Sequence, residues 1–218
     1  MQLTKLIVTQ LTGFIIVLCL ITPLKASIKQ VSSVQQGLIE FNDLNPNDLI
    51  VCDIDETLTY YPPLSKQFIK KPLDIQLQQR TFYPLDAELP TVLNDLQRNK
   101  KVPVIALSHA RTGKFGVIPS MEEWRFNALA QLGFSFSFDE KNHAFLLTQI
   151  PKPHPSFFKG IILSAHHAKG PVLLAFLKHR AIAPKRVLFF DDKKSNILSV
   201  HKTCSPITQV HCFHITKK

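Results

Sequence analysis

The sequence predicts an α/β fold built on a mostly parallel sheet, with helices on both of its faces. Short apolar runs at Leu49–Cys52, Val102–Leu107 and Arg186–Phe190 read as buried strands. Helical patterns stand between them, and strands alternating with helices argue for parallel pairing. The first run ends in Asp53 and Asp55, the second in Ser108 and the third in Asp191-Asp192. Polar groups at the carboxyl ends of buried strands are expected where an open α/β sheet binds its ligand.

Residues 1–26 have the layout of a secretory signal peptide, with Lys5 in the n-region and an apolar core from Leu6 to Ile21. Pro23 breaks the core, and Ala26 offers a small residue before a cut at Ser27. The core is short for a spanning helix and is interrupted by Thr9, Gln10, Thr12 and Gly13. Leu24, where a small residue is preferred, keeps an uncleaved anchor as the alternative. The expected location is periplasmic or secreted, with membrane contact only through this segment. Residues 27–218 are expected to form a single domain.

Val31, Val34, Leu38 and Phe41 have the spacing of an amphipathic helix leading into the strand Leu49–Cys52. From Tyr60 to Asp86 the chain is expected to be irregular, since Pro62, Pro63, Pro72 and Pro84 preclude a long helix. A helix follows from Pro90 to Asn99, then the strand Val102–Leu107. Ser120 with Glu123 forms a capping box for a helix through Leu132, closed by Gly133. Phe134, Phe136 and Phe138 alternate as in a half-buried strand. Two more strands are expected within Phe145–Leu163, around the turn Pro151–Pro155. Gly170-Pro171 opens a helix through His179, Arg186–Phe190 is a strand, Ser195–Lys202 a helix and Ile207–Phe213 a last strand. Two modest inserts, near 60–86 and 112–164, lie over the predicted cleft and leave no room for a large separate cap.

The formal charge is +10, and loss of residues 1–26 removes Lys5 and Lys25 and no acids, leaving +8. That surplus favours anionic partners. The basic residues are scattered in short pairs such as Lys70-Lys71, Lys100-Lys101 and Lys193-Lys194, and no RNA-binding, zinc-finger or helix-turn-helix signature accompanies them. Cys52 reads as a core thiol pointing away from Asp53. Cys204 and Cys212 are near enough in sequence to pair in an oxidising compartment.

Side chains alternate along a strand, so Asp53 and Asp55 project to one side of its end. Ending a buried strand in two carboxylates is costly unless a cation gathers there. An EF-hand loop also begins D-x-D, but it needs Gly at its sixth position and Glu at its twelfth, which here are Leu58 and Leu64. Phosphoryl transfer asks for a different set, which this chain has. A cation offsets the repulsion between carboxylate and phosphate, a hydroxyl and an ammonium (Ser108, Lys169) hold phosphoryl oxygens, and a second carboxyl group protonates the leaving alkoxide.

Asp53-Ile54-Asp55-Glu56-Thr57-Leu58-Thr59, Ile105-Ala106-Leu107-Ser108, Lys169-Gly170, and Phe189-Phe190-Asp191-Asp192 with Asn196 resemble, in order, the four motifs of the haloacid dehalogenase-like (HAD) superfamily. The resemblance covers Leu49 to about Asn196. Leu107–Arg111, Lys169-Gly170 with Leu173–Leu177, and Phe213-His214 are similar to an exported bacterial family of that superfamily whose function is not settled. The resemblance implies a three-layer Rossmann-like fold and a Mg2+-dependent phosphomonoester hydrolase. It implies Asp53 as nucleophile, Asp55 as general acid and base, and Ser108 and Lys169 as phosphate binders. Mg2+ would be held by Asp53, the Asp55 carbonyl and the Asp191-Asp192 pair, with Asp192 the direct ligand and Asp191 in support.

Asn196 stands where many members of that superfamily carry an acid, and is either part of the site or a helix-cap residue. His109 and Arg111 are expected near the cleft mouth, His166-His167 in a solvated loop and His214 in a structural place. Tyr60, Tyr61, Lys66, Lys70 and Arg80 are candidates to line the cleft. The reading is an exported phosphatase acting on a phosphorylated small molecule or other phosphomonoester. The alternatives are an exported binding protein that keeps the fold and a nucleic-acid binder.

Overall fold

A computed structural model describes residues 26–136 and 144–216. The expected signal segment lies almost wholly outside the described residues. In chain order the elements are β1 (Ser27–Val31), α1 (Val34–Leu38), β2 (Asp48–Cys52), β3 (Thr59–Tyr60), α2 (Lys66–Ile69), α3 (Leu73–Gln78), β4 (Tyr83–Pro84), α4 (Leu89–Asn99) and β5 (Val104–Ser108). Then come α5 (Met121–Gln131), β6 (Ala144–Leu146), β7 (Ser156–Phe158), β8 (Ile161–Leu163), α6 (Lys169–His179), β9 (Arg186–Asp191), α7 (Lys194–Cys204) and β10 (Gln209–Ile215).

The main sheet has the order β1-β10-β9-β2-β5-β8-β7-β6. Every pairing from β1 to β8 is parallel, and β7 and β6 add an antiparallel hairpin at one edge. This is the mostly parallel sheet that the strand–helix alternation predicts. Parallel sheets are covered on both faces, so their strands read as unbroken apolar runs. β2 shows this directly. Ile50 and Cys52 pack in one core with Leu89, Leu93, Met121 and Leu129 of α4 and α5. Leu49 and Val51 pack in the other with Val172, Leu173, Phe176, Ile197 and Val200 of α6 and α7. The result is three layers, helix–sheet–helix.

Several expectations change in detail. Val31 does not begin a helix. It ends β1, an edge strand whose burial is confined to its last residue, and Ser33 caps the short α1 by accepting a hydrogen bond from the Gln36 N–H at 3.1 Å. With three of its five residues exposed, β1 has no apolar alternation to reveal it. The Tyr60–Asp86 stretch is better ordered than its prolines suggest, holding α2, α3 and the small β3–β4 pair. The 112–164 stretch is not an insert. It supplies the helix α5 and the strand β8, both built into the layers, and among its described residues the β6–β7 hairpin is the addition. Residues 134–136 are irregular rather than a strand, and Ser137 and Phe138 lie outside the described residues.

Cys52, Cys204 and Cys212 are all buried free thiols, so the pairing open to Cys204 and Cys212 is not made. Burial pushes each of those two thiols up to about 12. At the amino edge of the sheet, Arg186 donates to both oxygens of the buried Asp48 at 2.8 and 2.7 Å, tying β9 to β2 at the end far from Asp53.

Candidate active site

The carboxyl edge of the parallel strands carries the chemistry. Asp53 lies one residue past β2, and its N–H continues the ladder by donating to the Phe190 carbonyl at 2.8 Å. The chain then turns tightly. The Leu58 and Thr59 N–H groups both donate to the Ile54 carbonyl at 2.9 Å, and Glu56 takes a left-handed φ of 64°. Ser108 closes β5, where its carbonyl accepts from the Ser164 N–H at 2.9 Å. Asp191 closes β9, and Lys169 is the first residue of α6.

These residues meet. The Lys169 ammonium, fully buried, donates to Asp53 Oδ1 and to Asp191 Oδ2, the latter at 2.6 Å. Asp191 also accepts from the Lys193 N–H at 2.8 Å and from Asn196 Nδ2 at 3.0 and 3.1 Å. Both Asp191 oxygens are therefore matched. Asp192 Oδ1, by contrast, is buried with no hydrogen-bond partner among the described residues. Asp53, Asp191 and Asp192 each offer a carboxylate oxygen, all within 4.8 Å of one another. Hard oxygen donors in this number suit a divalent cation such as Mg2+, and the unmatched Asp192 oxygen is what such an ion would satisfy.

Burial pushes Asp53 up to about 7; Lys169 opposes the rise and Asp191 adds to it. Asp192 is raised by burial and then by the charge of Asp191. Burial works against the charged form of Lys169, but Asp53 and Asp191 outweigh it and hold the ammonium above its ordinary value. Lys169 favours the charged form of Asp53, and the two carboxylates favour that of Lys169.

Arg125 belongs to the site although no motif in the sequence contains it. This residue of α5 is 4% exposed and donates to both oxygens of Asp55, Nη1 to Oδ1 at 2.9 Å and Nη2 to Oδ2 at 3.1 Å. Its one sequence signal is position: Arg125 stands four residues from both Met121 and Leu129, inside the buried stripe of the helix. An arginine in an apolar stripe needs a carboxylate partner.

Asp53, Asp55, Ser108 and Asn196 open on one cleft of about 270 Å3, which Arg125 also lines. Arg80, Arg111, Lys193, His109 and His166 also line it, as do Leu73, Leu77, Phe115 and Met121. His109 is held below its ordinary pKa, first by burial and then by the nearby His166, whose ring lies 5.3 Å away. His166 thus faces the cleft, though it is exposed as a loop residue would be. His167 turns elsewhere and bonds the Pro153 carbonyl at 2.9 Å. His214 Nε2 bonds the Asp192 carbonyl at 2.9 Å, a structural place directly behind the acidic pair. Of the 60–86 candidates only Arg80 lines the cleft; Tyr61 supports it, and Tyr60, Lys66 and Lys70 do not line it.

Among the described residues no helix is long and apolar enough to cross a membrane. The chain is 31% identical over 120 residues to an uncharacterized protein of Rickettsia bellii, covering 53% of this chain and 40% of that one. It is 28% identical over 145 residues to a second, from Rickettsia conorii, with 61% and 49% covered. A chain of Chlamydia trachomatis named "Putative outer membrane protein" is 25% identical over 132 residues, with 61% and 45% covered. The chain spans less than half the length of these curated relatives. A family model described as "Protein of unknown function (DUF2608)" matches residues 63–215, a span that takes in Ser108, Arg125, Lys169 and Asp191 and begins just after Asp53 and Asp55. With most of its length inside that match, the chain belongs to the DUF2608 family.

Proposed function

We propose that this protein is an exported, Mg2+-dependent phosphomonoester hydrolase of the HAD type that works through a phosphoaspartate at Asp53. The observation that carries the proposal is the Lys169 ammonium shared by Asp53 and Asp191, beside an unmatched Asp192 oxygen, at the carboxyl edge of a parallel sheet. Export is supported by the signal-like layout of residues 1–26 and by the printed name of the Chlamydia relative.

Asp53, the Asp55 carbonyl and Asp192 would hold Mg2+, with Asp191 orienting the site through Lys169 and Asn196. When bound, the ion supplies charge neutralisation for a carboxylate and a phosphate brought together. Lys169 holds Asp53 Oδ1 and leaves Oδ2 to attack phosphorus. Ser108 donates to a phosphoryl oxygen. As the bond from Asp53 to phosphorus forms, the bond to the ester oxygen breaks, and Asp55 gives that oxygen its proton. Asp55 then takes a proton from water, whose oxygen attacks phosphorus and returns Asp53 with release of phosphate. Both Asp55 oxygens accept from Arg125, so that pair has to open before Asp55 delivers a proton.

The test is Mg2+-dependent phosphate release from an aryl phosphate by the wild type and by Asp53→Asn. The variant is expected to be inactive; retained activity would exclude Asp53 as nucleophile.

A further inference from the structure

The cleft mouth holds more positive charge than a phosphate at Asp53 uses. We propose that the substrate is a phosphomonoester whose far end carries a second anionic group, with an apolar body between the two. This rests on the phosphatase reading above and names the substrate class of the same site.

Arg80, Arg111 and Lys193 line the mouth, and none of them is in an ion pair with a carboxylate among the described residues. The two carboxylates of the cleft are already taken, Asp53 by Lys169 and Asp55 by Arg125. Two of the three cations are held in place by aromatic faces. The Arg80 guanidinium lies 3.9 Å from the Tyr61 ring centroid and that of Arg111 4.1 Å from Phe115. Stacking leaves a guanidinium's edge donors directed outward, in the fork that suits carboxylate and phosphate. Arg80 Nε is buried and has no partner among the described residues.

The segment carrying Arg80 is anchored to the loop carrying Phe115. Asp74 of α3 accepts from the Val117 N–H at 2.9 Å, and a Cβ on Gly116 would stand 1.9 Å from that carboxylate. The two arginines therefore sit on elements fixed to each other before any ligand arrives, which lowers the entropy cost of using them.

Leu77, Phe115 and Met121 give the cleft an apolar lining, with the half-exposed Leu73 beside them. A polyol phosphate would need amides and free carboxylates for its hydroxyls. The cleft's one side-chain amide, Asn196, is bound to Asp191. An apolar lining that also carries unpaired cations suits a second anion joined to the phosphate through an apolar spacer.

The experiment is calorimetric binding, with Mg2+ present, of a straight-chain alkane diphosphonate and the monophosphonate of the same length, over a ladder of lengths. The wild type is compared with the double variant Arg80→Gln, Arg111→Gln, whose fold is checked by its melting curve. At the best length the diphosphonate should bind roughly tenfold tighter, well beyond the factor of about two from its equivalent ends, and the double variant should keep only that factor. Equal binding, or a preference that survives the double variant, would overturn the proposal. Phosphate release from the matching diphosphate and monophosphate esters separates the two readings. No release from either ester, together with arginine-dependent diphosphonate binding, removes the hydrolase and keeps the second-anion site. Release from both esters with equal affinity does the reverse.

Discussion

Replacing Lys169 with methionine keeps most of the side chain's length and removes its charge from between two buried carboxylates. Lys169 and Asp191 are fully buried and Asp53 is 7% exposed, so no solvent takes over what the ammonium supplies. Removing one partner of a buried ion pair typically costs about 3–5 kcal/mol, because the other charge is left unmatched. Asp191 retains Asn196 and the Lys193 N–H, so most of the cost falls on Asp53. With a urea dependence of about 2 kcal/mol/M, the midpoint should fall by roughly 2 M in a chelator. Mg2+ should then stabilise the variant more than the wild type, since three carboxylates remain to hold it. At 100 times its dissociation constant the ion would return about 2.7 kcal/mol. Phosphate release should be lost even when stability returns. A midpoint shift worth less than about 1 kcal/mol in the chelator would show that the ammonium is not compensating these carboxylates. If Lys169→Met does not fold, its combination with Asp53→Asn should, because the unmatched charge goes with it.

Arg125→Gln removes the pair that has to open before Asp55 delivers its proton, so kcat should rise roughly severalfold on an alkyl phosphate, whose leaving group needs that proton, and much less on a nitrophenyl phosphate; an equal loss on both would show that Arg125 supports the site rather than restrains the acid. Gly170→Ala places a Cβ 2.2 Å from the Ser199 carbonyl of α7, so α6 must shift and carry Lys169 with it. A stability loss of about 1–3 kcal/mol and a weaker Mg2+ dependence are expected by urea titration, and an unchanged midpoint would deny the close approach. His109 has a lowered pKa, so the unfolded chain takes up its proton first and stability falls as pH drops below about 6.5. His109→Gln should flatten that part of the stability–pH curve, and an undiminished slope would assign it to other groups.

What could be read from sequence was local. Leu49–Cys52 is buried on both faces, so its apolar run is continuous, and the carboxylates ending it stand out by contrast. The same logic made Ser108 and Asp191-Asp192 visible. Ser120 and Glu123 announced α5, and Ser120 Oγ does accept from the Glu123 N–H at 3.2 Å. The sequence says least where pairing partners are distant. β1 is a strand only because β10, at the far end of the chain, lies beside it. The role of β8 as a neighbour of β5 is equally a matter of tertiary pairing, which made 112–164 look like an insert. The partner of Arg125 is hidden for the same reason, although its place in the buried stripe of α5 calls for one. The residue that requires it is Asp55, 70 positions earlier, and nothing near Arg125 in sequence refers to it.

The charges at the strand ends also impose an order on binding. Asp53, Asp191 and Asp192, when ionised, carry three negative charges against the single positive charge of Lys169. A phosphate dianion approaching that inner site meets a net charge of the same sign in a largely buried place, where repulsion is weakly screened. With a divalent cation in place the inner charges balance. The mouth is different, because Arg80, Arg111 and Lys193 are positive whether or not an ion is present. Anions should therefore reach the mouth without a divalent cation and the inner site only with one. A phosphate ester drawn first by the arginines and then seated at Asp53 uses both halves of the cleft, and the inner half works only after the cation has arrived.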